Sequence, residues 1–212
     1  MKTKERISYG FTKNPYDLNQ YYTIREDVYT SHFKLQDYST HEDIYDEQEF
    51  TKILVIKDGE KIVGGARIIF HYKNSGTLLP FETMDFQLAN ELPQYNLKNK
   101  SYCEVDRTAL LPEYRQGGIG EKIVELATIE SKLSGADYLF TIGPAIQVRN
   151  NRRHCYNLGI NFKVLDNVPP EHPSYEGKRM YLTVTDLNKV KLERYEQISM
   201  PDKEKETASL KN

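Results

Sequence analysis

A short glycine-rich motif carries the clearest chemical signal in the chain: Arg115-Gln116-Gly117-Gly118-Ile119-Gly120. It lies between a predicted strand and an amphipathic helix, whose first turn presents backbone N–H groups without intrahelical partners. Glycine lets the backbone approach a ligand and the helix dipole favours an anion, so the motif suits a pyrophosphate. Its spacing matches neither a Walker loop nor the G-x-G-x-x-G fingerprint. The motif by itself leaves open a glycine-rich turn that binds no ligand.

Charged residues at inward-facing positions form a second candidate group. Arg25 lies on the otherwise apolar face of a predicted first helix, where a buried guanidinium needs partners. Glu104 and Arg107 lie on the strand before the glycine motif, and their odd spacing points them to opposite faces of a regular strand. A bulge would bring them to one face, and bulges are frequent beside active sites. A solvated surface set is the alternative.

The elements that must position these residues follow from periodicity and turn residues. Asn14 and Pro15 predict the start of the first helix, with Asp17 reaching back to close the cap. Asp58-Gly59 between two β-forming runs predicts a hairpin. The adjacent pair Gly64-Gly65 in its second strand indicates a bulge, or a close approach by another backbone or a ligand.

The rest of the chain reads as alternating elements around one sheet. The acidic stretch 31–49 is interpreted as a loop or a short helix. Later predicted segments are a short helix near 87–91, a strand over 102–110, a helix after the glycine motif that ends at Gly135, a strand over 138–142, a helix over 146–158 and final strands over 162–165 and 179–185. This order predicts a mixed α/β sheet with helices on both faces.

The form R-x-x-G-x-G, with Pro112 and Tyr114 just before it, resembles the coenzyme A loop of the GNAT superfamily of acyltransferases. Downstream, Tyr156, Gly159 and Phe162 follow an asparagine at 150 or 151 and resemble the superfamily motif N…Y-x-x-G-x-x-F. The resemblance implies an α+β, three-layer fold with a mostly antiparallel central sheet. It also implies an acetyl-CoA or acyl-CoA donor, with acyl carrier protein left open.

The same resemblance assigns roles to individual residues. Tyr156 is expected to protonate the departing thiolate. The residues expected to bind the donor are Arg107, Thr108, Arg115, Gln116, Gly117, Gly118, Ile119, Gly120 and Asn151.

A second resemblance covers the first half of the chain. Arg25 and Tyr29, Asp43-Ile44-Tyr45-Asp46, Gly65-Ala66-Arg67 and Glu104-Val105-Asp106-Arg107 resemble the signature of acyl-homoserine-lactone synthases, and N-acyl amino acid synthases are similar in these segments. The resemblance implies that the acids and arginines form an ion network beside the amine site. It also implies Glu104 as the base. The predicted network residues are Arg25, Asp43, Asp46 and Arg67.

Two features weigh against S-adenosylmethionine as the acceptor. The chain contains no tryptophan, which the lactone synthases carry where this sequence reads His32-Phe33-Lys34-Leu35, and its explicit R-x-x-G-x-G loop is typical of CoA-using GNAT enzymes. The expected function is acyl transfer to a primary amine of a small molecule. An acyl-homoserine-lactone synthase and a non-catalytic acyl-CoA sensor are the alternatives.

Composition narrows the class of protein further. A net charge of -2 weighs against a nucleic-acid partner, and the sequence lacks both a long apolar run and a secretory signal. Cys103 and Cys155 lack metal-ligand spacing, which predicts no metal and two reduced thiols in a cytoplasmic protein. We expect one domain over 1–198 and a flexible tail over 199–212. A homodimer is left open.

Overall fold

The computed structural model describes residues 7–32, 42–82, 85–165 and 179–192. In this part of the chain seven strands form one sheet, which α-helices flank. The strands are β1 (Ile7–Thr12), β2 (Thr51–Asp58), β3 (Lys61–His71), β4 (Tyr102–Leu110), β5 (Tyr138–Pro144), β6 (Lys163–Leu165) and β7 (Met180–Asp186), and the helices are α1 (Pro15–Asp27), α2 (Leu88–Glu91), α3 (Ile119–Leu133) and α4 (Ala145–Leu158). The predicted tail, 199–212, lies outside the described residues.

The strands pair in the order β1-β2-β3-β4-β5-β7-β6. All neighbours are antiparallel except β4 and β5, which run parallel. α1 and the segment between β3 and β4 cover one face, whereas α3 and α4 cover the other. The structure confirms the predicted α+β fold with three layers and a mostly antiparallel central sheet. Within the described ranges, no helix combines the length and the apolar character needed to cross a membrane.

β2 shows why the sheet needs cover on both faces. Ile53 and Val55 pack with α1, whereas Leu54 and Ile56 pack with α3. All four side chains are buried, and burial of each contributes about 1.5–3 kcal/mol relative to exposure. The continuous apolar run in the sequence is therefore the mark of a strand enclosed between two helical layers.

The first helix begins as predicted, but one detail of its cap is wrong. Asn14 Oδ1 accepts a hydrogen bond from the Tyr16 N–H at 2.9 Å, and proline occupies the first helical position. Asp17 does not reach back to the cap. It instead forms an ion pair with Lys57 at 2.8 Å and accepts a hydrogen bond from the Thr12 hydroxyl at 3.2 Å. Asp17 thus ties α1 to β1 and β2.

The predicted elements do not include β1. Among the described residues this segment is an edge strand paired with β2, and Ile7, Tyr9 and Phe11 alternate with Ser8, Gly10 and Thr12 as the residues of a half-buried strand do. In the acidic stretch, Val28–His32 continues α1 as a π-helical turn and residues 42–50 form turns, while 33–41 lies outside the described residues. The predicted hairpin and the later elements are confirmed, with ends that differ by one or two residues.

Candidate active site

An opening in the sheet separates β4 from β5. The two strands pair over three residues, ending at Glu104 and Phe140, and then diverge. From Val105 onward, the β4 edge that faces β5 therefore has no strand partner among the described residues. α3 and α4 cover the divergence and leave a cavity of about 660 Å³. Val28, at the end of α1, also lines the cavity, so the space reaches through the opening towards the other face.

The predicted glycine motif forms one end of this cavity. Gly117 and Gly118 have φ angles of 81° and 85°, a left-handed conformation that glycine adopts without steric cost. A Cβ atom at either position would meet nothing within 4 Å, so the space beside them is open. Gly118 caps α3 without a side chain, which leaves the first-turn N–H groups available to an anion. The Ile119 side chain, in contrast, turns into the core with Leu54 and Ile56.

Polar residues of α4 lie beside the loop end of the cavity. His154 Nδ1 lies 3.5 Å from Glu121 Oε2, and the Asn157 side chain donates a hydrogen bond to the same oxygen at 2.8 Å. A Cβ atom at Gly120 would lie 3.3 Å from His154 Nε2, so the imidazole stands beside the anion end. The sequence analysis did not single out these side chains. Helical spacing between Asn150, His154 and Asn157 is the signal that could have found them.

The part of the cavity farther from the loop is mainly apolar. Val105 and Leu139 line it from the two strands, Ala127 from α3 and Phe162 from the segment after α4. Cys155 also lines this part, and burial raises the pKa of its thiol to about 12. A thiol that stays protonated near neutral pH is a poor nucleophile, so Cys155 is not suited to form a covalent intermediate.

Tyr156 lies on the side of α4 that faces solvent. Its side chain is 83% exposed, and it is absent from the described lining of the cavity although both sequence neighbours contribute to it. The structure does not bring this predicted proton donor to the site. On a helix, adjacent residues point in different directions, so the motif spacing alone could not settle which of them faces inward.

β4 contains the bulge that the odd spacing predicts. Asp106 pairs with Arg67 and Ala109 pairs with Gly65, so Arg107 and Thr108 together oppose one residue of β3. Arg107 has a φ of 49°, in the left-handed region. The Arg107 side chain consequently lies on the face that carries the acidic residues, whereas Thr108 lines the cavity.

Arg67 lies at the centre of a buried ion-pair network. Its guanidinium donates two hydrogen bonds to Asp106, at 2.8 and 2.6 Å, one to Asp46 at 2.9 Å and one to Asp43. Arg25 forms a two-bonded pair with Asp46, at 2.9 and 2.7 Å. Burial alone would lower the pKa of Arg67, but Asp106 and the other two carboxylates raise it well above its ordinary value. The guanidinium is therefore charged and fully partnered.

Asp43 joins this network to the bulge. Its Oδ2 lies 3.2 Å from Arg107 Nη2, and its backbone N–H donates to Asp46 at 2.8 Å. Burial would raise the pKa of Asp43, but Arg67 and Arg107 together lower it, so the carboxyl group is ionised. Asp106 was quoted in the sequence motif but not assigned to the site. The structure makes it the third aspartate that balances three arginines.

Glu104 lies where β4 and β5 separate, on the opposite side of the strand from Val105. The residue is 1% exposed, and Oε2 has no hydrogen-bond partner in the described part of the protein. Burial raises the pKa of this carboxyl group well above its ordinary value and Asp106 adds to the rise, while Arg67 and Arg107 oppose it. The carboxylate form of such a group is suited to accept the proton that an attacking amine loses.

The predicted residues thus form two groups that meet at the opening. On the cavity side lie Thr108, Arg115, Gln116, Gly117, Gly118, Gly120 and Asn151. The network side holds Arg25, Asp43, Asp46 and Arg67. Arg107, predicted to bind the donor, belongs to the network side and is absent from the described cavity lining. The bulge explains this, because it turns the side chain away from the cavity.

Comparison with known proteins identifies the family of this chain. The sequence model of the family "N-acyl amino acid synthase FeeM" matches residues 20–186. No curated protein matches the sequence. These findings confirm the resemblance to N-acyl amino acid synthases that the motifs indicate.

Solved structures agree on the fold. FeeM, an N-acyl amino acid synthase from uncultured soil microbes, is 14% identical, with a TM-score of 0.62 over 87% of this chain and 92% of that chain. BjaI, a CoA-dependent acyl-homoserine lactone synthase solved with SAM and isopentyl-CoA, is 14% identical, with a TM-score of 0.57 over 86% and 83%. An acetyltransferase from Streptococcus agalactiae is 15% identical, with a TM-score of 0.51 over 84% and 98%. The shared architecture is the GNAT fold.

Proposed function

The chain belongs to the N-acyl amino acid synthase FeeM family, and we propose on that premise that it transfers an acyl group from acyl-coenzyme A to the amino group of an amino acid. That the protein is an N-acyltransferase follows from its family; the donor and the acceptor are what we propose. One arrangement carries the proposal. The open amides of the glycine loop lie at one end of the cavity, and the buried Glu104 lies at the opening in the sheet.

The donor side of the proposal starts at the glycine loop. We place the diphosphate of coenzyme A on the first turn of α3, where Arg115, Arg153 and His154 line the same end of the cavity. Coenzyme A brings a diphosphate to these groups, whereas a carrier-protein donor brings a single phosphodiester. Two arginines, a histidine and the loop amides suit the more highly charged diphosphate, which favours coenzyme A. The pantetheine would extend along the open edge of β4 as an added strand does. The acyl group would then enter the apolar part of the cavity.

The chemical step takes place at the opening. The amine attacks the thioester carbonyl, the new C–N bond forms as the C–S bond breaks, and Glu104 accepts the proton that the amine loses. Backbone N–H groups at the β4 bulge stabilise the negative charge on the carbonyl oxygen. The departing thiolate belongs to a thiol with a pKa of roughly 8.5, so water in the open cavity can protonate it. We therefore assign no proton transfer to the exposed Tyr156.

The acceptor side of the proposal concerns Arg107. The side chains of Arg25 and Arg67 are 0% exposed, whereas that of Arg107 is 21% exposed. An amino acid that brings its amine to Glu104 carries a carboxylate, and a guanidinium on the same face can bind it with two hydrogen bonds. A simple amine would leave this cation without a substrate contact. The two buried free thiols, Cys103 and Cys155, suit a reducing compartment, so we place the reaction in the cytoplasm.

A panel assay tests the proposal. The purified protein is incubated with acetyl-, octanoyl- or palmitoyl-coenzyme A and each proteinogenic amino acid, and thiol release and product mass are measured. We expect free coenzyme A and an N-acyl amino acid in equal amounts for at least one pair. A homoserine lactone formed from S-adenosylmethionine would establish the lactone-synthase alternative. Turnover with carrier-protein donors alone would overturn the donor assignment, and binding without turnover across the panel would indicate a sensor.

A further inference from the structure

The side chain of Tyr21, on α1, contacts the backbone of the β4 bulge. Tyr21 is fully buried, and its hydroxyl donates a hydrogen bond to the carbonyl oxygen of Arg107 at 2.6 Å. Arg107 has the left-handed φ of 49°, which rotates the following peptide out of the regular ladder of the strand. The bond therefore holds the one irregular peptide beside the opening between β4 and β5.

Gly65 provides the room for this contact. A Cβ atom at this position of β3 would lie 2.7 Å from Tyr21 Cδ2, 2.8 Å from Tyr21 Cε2 and 2.5 Å from the Leu54 carbonyl oxygen. The adjacent pair Gly64-Gly65 predicts a close approach, and at Gly65 the approaching groups are the Tyr21 ring and a neighbouring backbone. Since the ring passes directly over a glycine of β3, it can extend to the carbonyl on β4.

The direction of the peptide decides what its other end does. In a trans peptide the C=O and the following N–H point in opposite directions. The Arg107 carbonyl points to Tyr21 on the α1 face, so the Thr108 N–H points towards the opposite face, where Thr108 lines the cavity. A hydrogen bond to the carbonyl also polarises the peptide, which makes the Thr108 N–H a stronger donor.

We propose that Tyr21 is a positioning residue for acyl transfer: its hydroxyl holds the 107–108 peptide so that the Thr108 N–H is directed at the carbonyl oxygen of the donor thioester. This inference rests on the proposed function. The Thr108 N–H then stabilises the charge that develops on that oxygen when the amine attacks. The glycine loop binds the diphosphate at the other end of the cavity and does not depend on Tyr21. Loss of the hydroxyl should lower kcat and leave donor affinity unchanged.

Tyr21→Phe removes the hydroxyl and keeps the ring, and Tyr16→Phe is the matched control, since Tyr16 lies on the same helix and is 70% exposed. We expect kcat of Tyr21→Phe to fall about tenfold, the scale of one hydrogen bond that acts mainly in the transition state. The Kd of coenzyme A, measured by calorimetry, should stay within about twofold. Tyr21→p-aminophenylalanine retains an N–H donor at the same place and should restore most of the lost kcat.

A second measurement, by NMR, reports on the 107–108 peptide and does not require turnover. In Tyr21→Phe, but not in Tyr16→Phe, the ¹³C resonance of the Arg107 carbonyl and the amide resonance of Thr108 should shift. If the resonances shift in Tyr21→Phe but the wild-type protein shows no turnover, the proposed function alone is defeated. Unchanged resonances, an unchanged kcat, or a fall in coenzyme A affinity equal to the fall in kcat would overturn the role of Tyr21.

Discussion

The glycine loop and the ion-pair network lie on opposite sides of the opening between β4 and β5, and they are held in different ways. The loop consists of consecutive residues whose backbone faces open space, and a Cβ atom at Gly117 or Gly118 would touch nothing. The network consists of side chains from α1, the 42–46 turn, β3 and β4, and the side chains of its central members are fully buried. The backbone dihedral angles of its glycines determine the shape of the loop, whereas ion pairs between arginines and aspartates hold the network together.

The difference predicts how each region tolerates change. Buried ion pairs contribute little net stability over apolar replacements, but removing one partner leaves an uncompensated charge in the core. The network therefore positions the 42–46 turn and the bulge instead of adding much stability. A loop with open space around it can accept a side chain without unfolding the protein, while losing its ligand. The variants below test this contrast.

The largest effect should follow from Asp46→Ala. This change leaves Arg25 and Arg67 buried with one partner fewer each, and the free energy of unfolding should fall by about 3–5 kcal/mol. Urea unfolding measures the loss. Asp27→Ala, at the exposed end of α1, is the control and should change the free energy of unfolding by about 0.5 kcal/mol or less. A similar small loss for Asp46→Ala would contradict a neutralising role for the network.

The next largest effect should follow from Glu104→Gln at the boundary of the two regions. Turnover should fall by about 100-fold, the scale of general base catalysis, while the Kd of coenzyme A is unchanged. Glu113→Gln, at an exposed position, is the control. Because only the carboxylate form accepts the proton, wild-type turnover should rise with pH through the raised pKa of Glu104, and the variant should lose that limb. Normal turnover in the variant would remove Glu104 from the mechanism.

The same substitution should act on stability with the opposite sign. The raised pKa means that folded Glu104 holds its proton more tightly than the unfolded chain does. The contribution of Glu104 to the free energy of unfolding is fully present below its unfolded-state pKa of about 4.3. This contribution is lost as the pH rises through the pKa of the folded state. The Tm of Glu104→Gln should therefore equal that of the wild-type protein at low pH and be higher than it near neutral pH. A variant less stable at both pH values would show that the carboxyl group is held by partners.

A smaller effect should follow from Gly118→Val in the loop. The valine side chain occupies the open space and cannot easily adopt a φ of 85°, so hydrogen bonds from the first turn of α3 to the diphosphate should be lost. We expect the affinity for coenzyme A to fall by at least about tenfold, since a hydrogen bond to a charged group contributes about 1.5–3 kcal/mol. Far-ultraviolet circular dichroism should show an intact fold. Unchanged affinity would defeat the assignment of the loop.

The smallest effect should follow from Tyr156→Phe. The exposed hydroxyl lies outside the described lining of the cavity, so kcat should remain within about twofold of wild type over the neutral pH range. The cavity-lining substitution His154→Gln, on the same helix, provides the comparison and should weaken coenzyme A binding. A large loss of kcat in Tyr156→Phe would restore the tyrosine as the proton donor and require α4 to turn on ligand binding.

Much of the fold could be read from local patterns. The Asn14-Pro15 start of α1, the Asp58-Gly59 hairpin and the glycine motif before α3 each depend on neighbouring residues alone. β1 was missed although its apolar and polar residues alternate, because the segment is short, contains Gly10 and is half exposed, so that its pairing with β2 is what fixes it in the sheet. The motif resemblance also indicated Arg25, Asp43, Asp46 and Arg67 as network residues, and the structure brings all four together.

Only the tertiary structure decided which way the side chains point. It turned Tyr156 to solvent, moved Arg107 to the network by means of the bulge, and made Asp106 the main partner of Arg67. It also brought the Tyr21 hydroxyl to a carbonyl 86 residues away. Local sequence sets dihedral preferences and hydrophobic periods, but a bulge, a helix rotation and a long-range hydrogen bond arise from packing between distant segments. For that reason the sequence motifs indicated acyl transfer, whereas only the packed structure determined which side chains face the cavity and which face the network.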